Sequence, residues 1–200
     1  LRGSPSFKGV SNYLVEGIKM KMDQKEFSVN GVCYIVRSAI NKDAKDLSEI
    51  RLQIDGETEN LDREKGEGYL DTPGFEKLIK TDTENKKNLF LVAVMNDKIV
   101  GFSRCEGNLL KRYAHKVEFG VCVLKDYWGF GIGTTLLKES ITWADSNSIN
   151  KITLNVLETN DKAIELYKKF GFKTEGILEN DKILSDGQYY NTVVMGRFNE

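Results

Sequence analysis

The sequence predicts a single α/β domain: a mixed, mostly antiparallel sheet with a central parallel βαβ unit and flanking helices. Three observations lead there. Strand-like and helix-like periodicities alternate along the 200 residues instead of separating into blocks. Residues 116–158 read strand, glycine turn, helix, strand, and a helix joining two strands demands parallel pairing with a right-handed crossover. The other strands follow one another through short turns, which antiparallel neighbours use.

The elements follow in order. Residues 1–22 are set aside as an N-terminal extension, either an expression remnant or a clipped leader, with Met20 and Met22 as alternative starts. The stretch before Met22 is too broken by Gly and Lys for the apolar core of a secretory signal. The domain is taken as residues 23–200. Residues 31–39 form a β-branched strand, and 43–54 a helix with its stripe at Ala44, Leu47, Ile50 and Ile54. Residues 55–73 carry charge without periodicity, and 74–85 make a second, short helix. Residues 88–107 are two strands around the hairpin signal Asn96-Asp97, and 116–124 a further strand. Residues 132–148 form a helix and 151–158 an alternating strand. A helix over 160–172 is capped by Asn160 and ended by Gly171, and two last strands flank Asp186-Gly187.

Composition narrows the function. Lys+Arg 29 against Asp+Glu 30 argues against a protein held to nucleic acid by phosphate neutralisation. No apolar run approaches the ~20 residues of a membrane-spanning helix. Cys33, Cys105 and Cys122 are odd in number, widely spaced and in strand-like sequence, which fits a reducing, cytoplasmic compartment. The single His115 excludes a multi-histidine metal site, and no metal is expected.

The most informative segment runs from Val121 to Leu137. Gly129, Gly131 and Gly133 alternate between a buried strand and an amphipathic helix. Glycines there permit sharp turning and close backbone approach, while the helix start offers unpaired N–H groups and a positive dipole end. Such a nest, Trp128 through Thr134 with Phe130 and Ile132, suits a pyrophosphate; the plainer alternative is a tight turn seating a helix on a sheet. A dinucleotide fingerprint fails because Thr134 and Leu136 stand where its third glycine belongs, and the P-loop lysine is missing.

This passage resembles the acetyl-CoA pyrophosphate loop of the GNAT superfamily of N-acetyltransferases. The block from Leu154 to Phe172 is similar to the family's Asn-x-x-Ala-x-x-x-Tyr-x-x-x-Gly-Phe ending, at the family's spacing. Trp128 departs from the Arg or Gln common there, so backbone amides must hold more of the pyrophosphate; relatives resembling ribosomal-protein and spermidine acetyltransferases share the Trp-Gly form. The resemblance implies acetyl-CoA as co-substrate, a contact of Asn160 with the pantetheine arm, and Tyr167 at the coenzyme sulfur. It also implies β-like pairing of the arm with the backbone of Val121, Cys122 and Val123. The function implied is acetyl transfer to a primary amine of a small molecule or protein terminus by direct attack in a ternary complex. The alternative is a catalytically weak acyl-CoA-binding or sensory module of the same fold.

A base for the amine is less plainly marked. Where some relatives carry glutamate before the Asn motif, this chain has Asn155. Glu118 is the next candidate, His115 a weaker one, and Cys122 reads better as a small buried hydrophobe than as a nucleophile. Residues 55–71 carry seven acids and admit two readings, a solvated mobile loop or an electronegative funnel for a cationic amine such as a polyamine. Neither nucleic acid nor membrane is expected as a partner, and an exposed C-terminal strand is expected to allow a homodimer.

Overall fold

The computed structural model describes residues 22–199, so the expected extension over 1–21 lies outside the described residues. Met22 gives its N–H to Ser38 Oγ at 2.9 Å and packs on the core.

Eight strands form one sheet in the order β1-β2-β3-β4-β5-β6-β8-β7. The strands are β1 (Lys25–Val29), β2 (Val32–Ser38), β3 (Leu89–Met95), β4 (Lys98–Gly107), β5 (Lys116–Val123), β6 (Lys151–Leu157), β7 (Lys173–Ile183) and β8 (Tyr189–Phe198). Every neighbouring pair is antiparallel except β5 and β6, which the helix α3 (Ile132–Ser146) connects. The remaining helices are α1 (Ala44–Asp55), α2 (Thr72–Glu84) and α4 (Asp161–Lys169). The mixed sheet with one central βαβ unit is the architecture the sequence predicts.

The sheet divides two cores. Leu89, Leu91 and Ala93 of β3 face α3 and α4 together with Tyr34, Val36, Val117, Phe119, Leu136, Leu137 and Leu154. The alternate residues Phe90 and Val92 face α1 and α2 with Leu47, Ile54, Phe75, Ile79, Phe102 and Cys122. Because β3 is buried on both faces, its sequence is a continuous apolar run rather than an alternating one.

Two expectations need correction. An additional strand, β1, precedes the first one read from the sequence and pairs with β2 through Asn30 (φ 53°) and Gly31 (φ 78°). Two successive positive φ angles make the tight hairpin turn that Asn-Gly favours. The C-terminal strand β8 is not an exposed edge either: it lies between β6 and β7, and β7 is the outer strand. The Asp186-Gly187 turn folds β7 outside β8, since the parallel crossover has already placed β6 in the interior.

Candidate active site

The site starts where two strands part. β5 and β6 are in register only over Lys116–Glu118 against Lys151–Thr153. Beyond that, β5 stays on β4 as far as Val123, and β6 stays on β8 as far as Leu157. The wedge between them opens into a cleft of about 880 Å³ reaching from the glycine turn to α1 and the loop after it.

Backbone alternation decides which groups face the wedge. The Leu124 N–H bonds the Val100 carbonyl at 3.0 Å, so on this edge the even-numbered residues of β5 bond to β4. The odd-numbered Phe119, Val121 and Val123 turn their backbone groups to the gap. Cys122, opposite Phe102, directs its backbone to β4 and meets the cleft with its side chain. That corrects its expected part in pairing with the pantetheine arm. Burial pushes its thiol up to about 11, so it stays protonated at neutral pH and is no nucleophile.

At the far end of β5, a 3-10 turn over Lys125–Tyr127 leads to the glycines. The Trp128 indole N–H donates to the Val123 carbonyl at 2.8 Å. Trp128 thus fastens the turn to the strand instead of meeting an anion with charge, and it occupies an oxygen expected to face the coenzyme. Gly129 (φ 86°) and Gly131 (φ 77°) adopt the left-handed conformation that other residues avoid. Gly133 is different: a Cβ there would meet only Val123 Cγ2, at 3.8 Å. The first helix turn has no side-chain cap, leaving the amides of Ile132, Gly133 and Thr134 without a bond among the described residues. Open amides, a helix start and space over Gly133 form a cradle that fits a diphosphate.

The β1–β2 hairpin, which the sequence reading missed, supports this cradle. Asn30 Nδ2 donates to the Gly129 carbonyl at 3.4 Å, and Val29 packs against Gly131. Tyr34 Oη and Thr135 Oγ1 lie 2.7 Å apart, and Lys25 pairs with Glu139 at 2.6 Å, tying the hairpin to α3.

Across the wedge, Asn160 Oδ1 accepts the Ala163 N–H at 3.3 Å as the N-cap of α4, and its amide group lines the cleft. One α-helical turn and more along, Tyr167 is 8 % exposed and its ring packs on Phe172 at 5.7 Å between centroids. Its hydroxyl has no hydrogen-bond partner among the described residues, and burial pushes its pKa up to about 12.

Glu118, Glu106 and Arg104 line the cleft from the β4–β5 side and Asn155 from β6, while His115 is not among its lining residues. Arg104 forks onto the buried Asp82 at 2.6 and 2.9 Å and reaches Glu106 at 2.7 Å. Burial works against the Arg104 charge, but Asp82 and then Glu106 outweigh it and hold its pKa above the usual arginine value. Glu118 stands directly opposite Glu106 in the register and has no cation or donor among the described residues. It is the uncommitted carboxylate of the cleft.

The loop after α1 is ordered by the acids that suggested a funnel. Glu57 accepts the Lys125 N–H at 2.7 Å, Glu59 accepts the Ser185 N–H at 2.8 Å, and Asp62 pairs with Lys182. Asp55 is buried against Arg51, and Asp71 caps α2. These carboxylates bind the loop to the approach of the glycine turn and to the β7–β8 turn, in place of a freely solvated loop; Glu57 and Glu59 keep their charge, since their partners are neutral backbone N–H groups.

An α/β sheet opened between its two parallel strands, with open helix-start amides at one lip and a buried unpartnered phenol at the other, has the architecture of a transferase that holds an anionic co-substrate in the wedge. The profile of the acetyltransferase (GNAT) family matches residues 56–172, more than half of the chain, and the chain belongs to that family of acetyl-CoA-dependent N-acetyltransferases. It is 32% identical over 108 residues to the L-amino acid N-acetyltransferase AaaT of Escherichia coli (strain K12), covering 54% of this chain and 66% of that protein. It is 32% identical over 81 residues to Spermidine N(1)-acetyltransferase of the same organism, covering 40% and 43%. The match thus spans under two thirds of either curated relative. Among solved structures, an acetyltransferase of the GNAT family from Streptococcus pneumoniae superposes with a TM-score of 0.80 and 28% identity, over 83% of this chain and 99% of that one. An acetyltransferase from Salmonella typhimurium solved with its cofactor acetyl-CoA shares the fold, with a TM-score of 0.73 and 18% identity over 82% and 94% of the chains.

Proposed function

We propose that this chain transfers the acetyl group of acetyl-CoA to a primary amine by direct attack within a ternary complex. The carrying observation is the meeting, in one cleft, of the open cradle at Gly129–Thr134 and the unpartnered Tyr167 hydroxyl. The cradle amides hold the pyrophosphate, the gap-facing backbone of Phe119 and Val121 pairs with the pantetheine arm, and Asn160 adds its amide. Glu118 takes a proton from the acceptor ammonium, directly or through one water. The neutral amine attacks the thioester carbonyl, the C–N bond forms and the C–S bond breaks. Tyr167 donates its proton to the leaving sulfur, and the second proton of the attacking nitrogen, shed as the amide forms, returns to the Tyr167 phenolate through solvent.

The proton transfer is matched by burial. The thiol of Cys122, on the same cleft, is pushed up to about 11, and Tyr167 up to about 12. A coenzyme sulfur shielded from water in that wedge rises likewise, which brings its acidity close to that of the phenol. Holding both substrates in one cleft supplies much of the acceleration without a covalent enzyme intermediate. The three free thiols support a reducing, cytoplasmic setting.

The test is release of coenzyme thiol on addition of amines, together with the melting temperature in saturating acetyl-CoA. At a hundredfold excess over Kd, linkage gives about 2.7 kcal/mol of stabilisation. An unmoved melting temperature and no thiol release with any amine would refute the reading.

A further inference from the structure

We infer that Gly120 sets the acceptor specificity: the side chain it lacks leaves a hollow on β5 for the apolar body of a hydrophobic primary amine whose nitrogen lies at Glu118. This rests on the acetyl-transfer reading and names the substrate class of the same cleft.

A glycine inside a strand weakens it, and each of the other strand glycines has a reason in the fold. A Cβ on Gly101 would stand 2.9 Å from the Cys122 carbonyl oxygen, and one on Gly107 2.7 Å from that of Lys87. One on Gly196 would run into the Glu175 carboxylate, and Gly176 sits where β7 shifts register on β8. Gly120 has none of these reasons. It lies within β5 where the register to β4 is unbroken, its φ is not positive, and a Cβ there would meet nothing within 4 Å. What the missing side chain leaves open is the cleft, which Gly120 lines.

The ladder on either side defines what the hollow accommodates. Alternate side chains share a face of a strand, so Gly120 lies between Glu118 and Cys122 on the face turned to α1 and α2. Opposite Glu118, Gly120 and Cys122 on β4 stand Glu106, Arg104 and Phe102. The row to one side is acidic, and its Glu118 is uncommitted. The row to the other side is apolar, and Phe102 continues into Phe90 at 5.9 Å between ring centroids. The row between has no side chain on β5, and its Arg104 is held by Asp82 and Glu106. An ammonium at Glu118 therefore puts the carbons that follow it over Gly120, a step of roughly 6–7 Å along the strand, and directs them to Phe102. The coenzyme arm uses the backbone edge of β5, in the plane of the sheet, while the hollow opens perpendicular to it, so the two occupants do not compete.

The experiment measures thiol release with phenethylamine, cyclohexylmethylamine and ethylamine for the wild type, Gly120→Ala and Gly120→Val, beside urea unfolding and the melting shift with acetyl-CoA. The wild type should favour the ring-bearing amines by about tenfold or more in kcat/KM, since an apolar site discriminates by that much for a single methylene. Gly120→Val should bring the ratio close to one by raising KM for the ring-bearing amines. Gly120→Ala, which adds the least bulk, should fall between and carries the comparison if the larger change disturbs folding. Both variants should unfold at the wild-type urea concentration or above it, because a side chain restores strand propensity, and both should keep the acetyl-CoA shift. The inference is overturned if the wild type prefers ethylamine, if neither variant lowers the ratio, or if the variants lose the acetyl-CoA shift, which would give the hollow to the coenzyme. Acetyl-CoA stabilisation without turnover of either ring-bearing amine overturns it too and leaves the coenzyme assignment standing; no stabilisation and no turnover with any amine defeats both.

Discussion

A methyl group on Gly131 would stand 2.8 Å from Cγ1 of Val29, so the β1–β2 hairpin closes directly over the turn that forms the anion cradle. Two costs therefore meet at Gly131→Ala. The left-handed φ of 77° costs roughly 1–2 kcal/mol for a residue with a Cβ, and the contact adds its own penalty. Urea unfolding of Val29→Ala, Gly131→Ala and the double variant separates them. The expected coupling is favourable, on the order of 0.5–3 kcal/mol, because Val29→Ala removes the contact and leaves the backbone cost. Strict additivity would mean that the hairpin does not press on the turn.

Gly133 gives the opposite result to Gly131. A Cβ there meets nothing closer than 3.8 Å and the residue is helical, so Gly133→Ala should leave stability unchanged or raise it by up to ~1 kcal/mol. The same methyl enters the space proposed for the diphosphate. Acetyl-CoA should bind about tenfold or more weakly, a loss of roughly 1.4 kcal/mol or more, read by calorimetry. Wild-type affinity would move the pyrophosphate away from this helix start.

Tyr167→Phe isolates the phenol proton. The hydroxyl bonds to nothing among the described residues, and the ring packs on Phe172, so the fold should lose little. The expected change is a fall in kcat of about 10²-fold with the Kd for acetyl-CoA intact. Wild-type turnover would reduce Tyr167 to a core residue.

Glu118→Gln tests the one acid lining the cleft that has no partner among the described residues. It keeps the shape and removes the proton acceptor, so kcat/KM at neutral pH should fall by about 10²-fold or more. Turnover equal to the wild type would leave the proton to solvent.

Much of this was legible in the chain because local signals and tertiary demands agree. Asn96-Asp97, the Asn160 cap and Gly171 each mark a boundary by their own chemistry, and the structure places the turn, helix start and helix end there. Asn30-Gly31 carries the same kind of signal as Asn96-Asp97, but the strand before it, Lys25–Val29, offers only Phe27 and Val29 as apolar residues, too little to mark it, and with it the support of the cradle stayed hidden. The parting of β5 from β6 after Glu118 has no sequence mark, because strand alternation continues past it. The uses of Glu57, Glu59 and Asp62 were hidden for another reason. Their partners Lys125, Ser185 and Lys182 lie 68 to 126 residues away, and composition cannot distinguish a solvated acid from one that ties two loops together.

The last prediction uses the buried acids as probes of the site's dryness. Burial pushes the thiols of Cys105 and Cys122 up to about 12 and 11, and the Tyr167 phenol up to about 12. In the unfolded chain the thiols ionise near ~8.5 and the phenol near ~10. Above pH ~9 the unfolded state therefore releases protons that the native state retains, and stability must fall as pH rises. Below the unfolded values this contribution is complete; it is lost through pH 9 to 12. Each group adds about 1.4 kcal/mol per pH unit to the slope while it is ionised only in the unfolded chain. Under reducing conditions, urea unfolding of Cys122→Ala between pH 9 and 11 should give a slope shallower than wild type by about one proton. The constant cost of the missing sulfur does not affect the slope. Parallel slopes would mean that Cys122 ionises in the native cleft as it does in water, and that the wedge is too wet to bring a coenzyme sulfur and Tyr167 to matched acidity.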